Sequence, residues 1–135
     1  MTTSKRTLAA FTLTELLVVL VIIGILMLIA LPNLMPLIAK THSLEAQQAL
    51  TTIQKLQRSY YQQHLAYSDD LVRLGFEPEP TQLEGGGAKY AIWIVESSTE
   101  GFVARAEAIV DFDKDGILNQ WEIRHVGEPV ELVRD

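Results

Sequence analysis

Cysteine is absent from this 135-residue chain. No disulfide can cross-link it, and no thiolate can act as nucleophile or metal ligand. Basic residues are scarce: 11 Lys and Arg stand against 17 Asp and Glu, for a net charge of −6. Setting aside Lys5 and Arg6 leaves the remainder more acidic still. Such a body lacks the clustered cations that phosphate backbones require, so no direct nucleic acid binding is expected. Recognisable catalytic sets are also missing. There is no Ser/His/Asp arrangement, no glycine-rich phosphate loop around Gly85-Gly86-Gly87, and no catalytic metal cluster, so the chain is expected not to be an enzyme. His42 and His64 each stand alone and read as surface or boundary residues. The length suits one small domain with an accessory segment and excludes a deep two-domain cleft.

The apolar residues, by contrast, are concentrated. From Leu16 to Leu31 no side chain is polar, and after Glu15 the next charge is Lys40. As a helix, Leu16–Leu31 spans about 24 Å and a continuation to Ala39 about 36 Å, enough to cross a bilayer. Lys5 and Arg6 precede the run and place the amino end in the cytoplasm. A secretory signal would carry its small-residue cleavage site after the apolar core, whereas Ala9-Ala10 lie before it. Glu15 is the anomaly. A carboxylate at the edge of an apolar span costs a few kcal/mol unless it finds a partner, which marks it as functional.

The stretch Ala10-Phe11-Thr-Leu-Thr-Glu15-Leu-Leu-Val-Val-Leu-Val-Ile-Ile-Gly24, with Pro32 beyond it, resembles the amino terminus of type IV pilins and the related pseudopilins. Phe11, Glu15 and Pro32 match the family's first mature residue, its glutamate and its proline. Ala10 stands before the cut, where the family usually has Gly. The resemblance implies a leader of residues 1–10, cleavage between Ala10 and Phe11 by prepilin peptidase, and N-methylation of the new ammonium. It also implies a role for Phe11 and Glu15 in assembly, with the carboxylate of one subunit meeting the ammonium of a neighbour in a homo-oligomeric helical filament. Buried together, neither charge tolerates the loss of the other, so the pair would act as a register check. The order Tyr61, Tyr67-Ser-Asp-Asp70, Leu74-Gly75-Phe76 resembles the helix-to-sheet connection of pilins.

The expected fold is α+β: a long kinked amino-terminal helix, half transmembrane and half amphipathic, on a small antiparallel β-sheet. Residues 11–39 form the membrane and filament-core part, and 40–135 the soluble head. The helix should run from about Thr14 to Gln63, kinked around 30–37 because Pro32 and Pro36 each remove a backbone donor. Its second half carries an apolar stripe of Ala46, Ala49, Leu50, Ile53, Leu56, Tyr60 and His64. Ser43 is an N-cap candidate should the helix restart there. A connecting loop covers 65–88, with Gly85–Gly87 as a flexible hinge. The sheet lies in 89–135, with strands expected at Lys89–Val95, Phe102–Val110, Gln120–Val126 and Pro129–Val133. Apolar residues on both faces make the first a central or covered strand. Ala104, Ala106 and Ala108 would let a helix approach closely.

Residues 111–122 fit the EF-hand loop at every defining position. Asp111, Asp113 and Asp115 occupy positions 1, 3 and 5, and Gly116 position 6. The Ile117 carbonyl takes position 7, Asn119 position 9 and Glu122 position 12. A structural Ca²⁺ is the expectation, although the flanks read as strands rather than helices. The resulting reading is a type IV pilin-like subunit made as a membrane-anchored precursor at the bacterial inner membrane, then assembled by pilus machinery into a surface fibre. Two alternatives stand beside it, a type II secretion pseudopilin and a monomeric membrane-anchored calcium-binding protein. Adhesion, motility, DNA uptake and secretion are not distinguished by the residues.

Overall fold

The structure is a computed structural model that describes residues 10–112 and 114–134, the side chains of Asn33, Met35 and Pro36 excepted. Its first element is α1, a 52-residue helix over Leu13–His64. The helix is one element through both Pro32 and Pro36, and the division of the chain into two compact units, Met1–Leu34 and Met35–Asp135, falls between them. In the first unit every described apolar side chain of α1 is exposed. This stretch is long and apolar enough to cross a membrane. A helix apolar on all sides cannot satisfy itself in water and has to be covered by lipid or by other helices.

The second unit combines the rest of α1 with four strands: β1 (Tyr90–Ser97), β2 (Phe102–Ala108), β3 (Gln120–Arg124) and β4 (Val130–Val133). They form one antiparallel meander in the order β1-β2-β3-β4. The fold is therefore α+β, as the pattern predicts. Ala46, Leu50 and Ile53 of α1 share one buried cluster with Tyr90, Phe102, Ala104, Ala106, Ala108 and Ile123 of the sheet. The residues of β2 alternate between buried and half-buried, with Phe102 and the alanines on the buried side. Register carries the same logic across the sheet, with Ala104 opposite Ile123 and Ala106 opposite Trp121.

Four expectations need correction. β1 is an edge strand, not a central one, and Trp93 and Val95 on its outer face are exposed. The apolar pattern on both faces came from residues that pack on one side only. Ser43 caps nothing: it lies inside α1, and its hydroxyl donates to the Lys40 carbonyl at 2.8 Å. Gly85–Gly87 is not a loose hinge. Thr81–Ala88 closes into an ordered turn around a short 3-10 helix, Gln82–Glu84, and a Cβ at Gly86 would lie 1.9 Å from the Pro80 carbonyl oxygen. The glycine is there because the chain doubles back on itself. His64 closes α1 as an exposed residue stacked on Tyr60, outside the buried stripe.

Gln57 is fully buried on the face of α1 that the apolar stripe covers. A buried amide is tolerated only when its donors and acceptors are used. Gln57 donates to the Ser68 carbonyl at 2.6 Å and accepts from the Ser68 amide at 2.9 Å. It thereby pairs with the connecting loop as a neighbouring strand would. The Tyr67 amide in turn donates to the Ser98 carbonyl in the β1–β2 turn.

The alanine floor yields the first prediction. Ala106→Leu should destabilise the protein by about 1–3 kcal/mol, because the added carbons meet α1 in a site with no exposure. Leu44→Ala, at an exposed position of the same helix, should change little. Urea unfolding of the detergent-solubilised chain, followed by tryptophan emission, measures both.

Candidate functional site

The candidate residues lie in two places, the start of α1 and the β2–β3 connection. At the first, Ala10 and Phe11 are exposed and lie ahead of the helix in chain without regular structure. The leader residues 1–9 lie outside the described residues. Thr12 and Glu15 form a reciprocal cap. The Thr12 amide and hydroxyl donate to Glu15 Oε2 at 3.1 and 3.2 Å, and the Glu15 amide donates to the Thr12 hydroxyl at 3.2 Å. This is a capping box. It also places a carboxylate in the first turn, where the helix dipole favours it. Sequence reasoning about Glu15 missed Thr12, although the Thr-x-x-Glu spacing carries that signal.

At the second place the chain turns sharply. Lys114 and Gly116 have φ of 66° and 89°. Asp111 holds the turn from inside: its two carboxylate oxygens accept from the Lys114 amide at 2.6 Å and the Gly116 amide at 2.7 Å. Asp115 accepts from the Ile117 amide at 2.7 Å. Asp113 lies outside the described residues. Asp115 and Ile117 are exposed, and Asp111 is half-buried. The front of the loop thus gathers oxygen donors at the surface, the chemistry a hard cation selects.

The closing end is built into the sheet instead. Asn119 is buried, and its side-chain oxygen accepts from the Tyr90 hydroxyl at 2.9 Å and from Trp121 Nε1 at 2.5 Å. Its amide nitrogen donates to Glu131 at 2.8 Å and to the Val133 carbonyl at 3.0 Å. Glu122 lies between two guanidinium groups, Arg105 on β2 at 2.8 Å and Arg124 on its own strand at 3.1 Å. Among the described residues no three Asp, Glu or His side chains converge on one point. Asp111 and Asp115 accept from amides of their own turn, whereas the side-chain oxygens of Asn119 and Glu122 accept from side chains of the sheet.

His42 ties this turn to α1. Its ring stacks on Phe112 at 4.7 Å, and its Nε2 accepts from Lys89 Nζ at 2.8 Å. Burial, with the Lys89 charge acting in the same direction against Glu45, holds its pKa below the ordinary value and favours the neutral ring that this bond needs. Arg105 and Lys89 were not visible as partners in the sequence, since each meets its contact only through the fold.

Comparison with known proteins adds two findings. Residues 6–31 match the prokaryotic N-terminal methylation motif. The chain is 41% identical over 69 residues to the type IV major pilin protein PilA of Myxococcus xanthus (strain DK1622). That stretch is 51% of this chain and 31% of the relative, so the similarity covers about a third of the relative's length.

The Glu122 pair sets a pH dependence. Hydrogen bonding from Arg105 is the largest influence, and it holds the Glu122 carboxyl below its ordinary pKa of 4.5 against the opposing effect of burial. A depressed carboxyl contributes stability above the unfolded pKa and loses it as pH falls through the lower, folded value. Acid unfolding followed by circular dichroism should therefore show stability falling below about pH 4.5. Glu122→Gln should be less stable at pH 7 by about 1–3 kcal/mol and show a flatter acid limb. An unchanged acid limb in Glu122→Gln would remove the pair from the account.

Proposed function

We propose that this chain is the structural subunit of a type IV pilus-like filament, made as a membrane-anchored precursor at the inner membrane and displayed as a surface fibre. One observation carries the reading. The first stretch of α1, exposed and apolar on every side, follows the exposed residues Ala10 and Phe11 and bears one acid, Glu15, in its first turn. Lipid covers such a helix in the precursor, and other copies of it cover it in a fibre. The methylation motif and the pilin similarity support the same reading. Prepilin peptidase releases Phe11, whose ammonium is methylated, and pilus assembly machinery inserts the subunit.

In this reading Glu15 has two successive partners. Before assembly Thr12 supplies its donors. In the fibre the Phe11 ammonium of a neighbour meets the carboxylate in an apolar bundle, where either charge alone is penalised strongly. The exchange gives the subunit a reason to leave the membrane in one register only. Mass spectrometry of sheared fibres should find a mature chain that starts at N-methylated Phe11. Glu15→Val should insert normally, since the span becomes more apolar, yet yield few fibres in cells lacking the unaltered subunit. Fibres at the normal yield would refute the register role. Imaging separates a long surface fibre from the short periplasmic filament of a type II secretion pseudopilin.

Calcium is the second part of the proposal. Asp111, Asp113, Asp115 and the Ile117 carbonyl would hold the ion, with water completing its shell. The ion would offset the mutual repulsion of the carboxylates and stiffen the connection between β2 and β3. At a Ca²⁺ concentration 100 times Kd the gain by mass action is about 2.7 kcal/mol. The melting temperature of the full chain in detergent should rise with Ca²⁺ and fall with chelator. Asp113→Ala should abolish the difference and Lys114→Ala should keep it. Equal melting temperatures in Ca²⁺ and chelator would reduce the loop to an acidic turn.

A further inference from the structure

The turn around Leu83 is unusual for an exposed connection. Leu83 is 82% exposed at the tip of the 3-10 helix. Its surroundings are nevertheless tightly bonded. The Thr81 amide and hydroxyl donate to Glu84 at 2.9 and 2.8 Å, and the Gly86 amide donates to the Thr81 carbonyl at 2.9 Å. The Gln82 amide donates to the Ala88 carbonyl at 3.0 Å. An apolar side chain presented on a pre-ordered backbone loses little conformational freedom when a surface covers it. The segment around it is uniformly acidic, with Glu77, Glu79 and Glu84 and no cation before Lys89.

A groove of the opposite character lies on the same unit. It has a volume of about 370 Å³ and is lined by Leu56, Tyr60, Gln63, His64, Arg73 and Leu74, with Ser59. Among the described residues its lining holds no carboxylate. Arg73 is paired only loosely with Asp70, at 3.6 Å and with both side chains largely exposed. The two features sit at different ends of the head's helix. Lys89, at the base of the acidic turn, contacts His42 and Glu45, while the groove lies along residues 56–64. Glu45 and Tyr60 are separated by about 22 Å of helical rise.

We infer that the acidic turn of one copy, led by Leu83, docks into the Tyr60–Arg73 groove of a second copy. The inference rests on the filament reading above and names a contact between heads that would stitch the fibre along its length. Apolar Leu83 enters between Tyr60 and Leu74, and the carboxylates face Arg73 and His64. The contact is heterologous, since it joins two different patches at different ends of the unit. Repeated without closure, such a contact generates a helical array rather than a dimer.

The absence of cysteine makes the test clean. The full chain carrying both Leu83→Cys and Gln63→Cys is expressed as the sole subunit, and sheared fibres are run on a non-reducing gel. The expected result is a ladder of dimers, trimers and higher species, whereas each single-cysteine chain stops at dimer. Leu83→Asp should cut fibre yield at least tenfold while the precursor level in the membrane fraction stays unchanged. Arg73→Glu should do the same, and combining it with Glu77→Lys and Glu79→Lys should restore the yield. Full yield from Leu83→Asp, or intact double-cysteine fibres without a ladder, overturns the contact and leaves the filament reading standing. If the double-cysteine chain makes no fibres, the Leu83→Asp yield and the charge-swap rescue decide. Absence of fibres from the unaltered chain overturns the filament reading, and the contact with it.

Discussion

Leu50 and Ile53 reach full burial although only one layer of strands faces them, because β2 presents alanine at 104, 106 and 108 beneath the helix. The alanines and these two side chains belong to one buried cluster closed to water. Each fully buried Leu or Ile contributes about 1.5–3 kcal/mol, a large share for a head with so small a core. The shared core has a polar consequence. It carries Gln57 inside with the leucines, and Gln57 then needs partners of its own. Ser68 supplies them through its backbone, so the connecting loop is fixed by the same contact that forms the core. Disturbing the alanines would loosen the core and the loop together.

The amino-terminal unit obeys a different constraint. Its helix has no polar face to turn toward water, so its surroundings must be apolar. Within such surroundings a single carboxylate governs the energetics out of proportion to its size. The Thr12–Glu15 cap shows how the chain manages that charge locally, by giving it two donors from the residue that starts the helix. A cap uses hydrogen bonds that a cation can replace.

Much of this was legible in the sequence because it depends on local pattern. The apolar run, the stripe from Ala46 to Tyr60 and the alternation of β2 all follow the period of their element. The Thr-x-x-Glu cap was equally local and could have been read. What escaped depends on contacts between distant segments. Gln57 reads as a break in the stripe until Ser68 is opposite it. β1 reads as a covered strand because the apolar character of Trp93 and Val95 says nothing of strand order. Asn119 and Glu122 fit ligand positions by spacing, but spacing cannot reveal that Tyr90, Trp121, Arg105 and Arg124 reach them first. Spacing fixes which oxygens could meet an ion, and the fold fixes which are still available.

That competition explains how the carboxyl end is held without a disulfide. β4 has four residues and sits at the sheet edge, where a strand alone would fray. Asn119 binds it through Glu131 and the Val133 carbonyl, and the Gln54 amide of α1 binds the β3–β4 turn through the Arg124 and Gly127 carbonyls at 2.8 and 2.9 Å. Each such bond contributes about 0.5–1.5 kcal/mol, so together they approach the 2–4 kcal/mol typical of a disulfide. The two solutions differ in kind. A disulfide acts largely by restricting the unfolded chain, whereas these amides act only in the folded state and can open one at a time. The closing residues of the acidic loop, Asn119 and Glu122, are thereby spent on holding the sheet together.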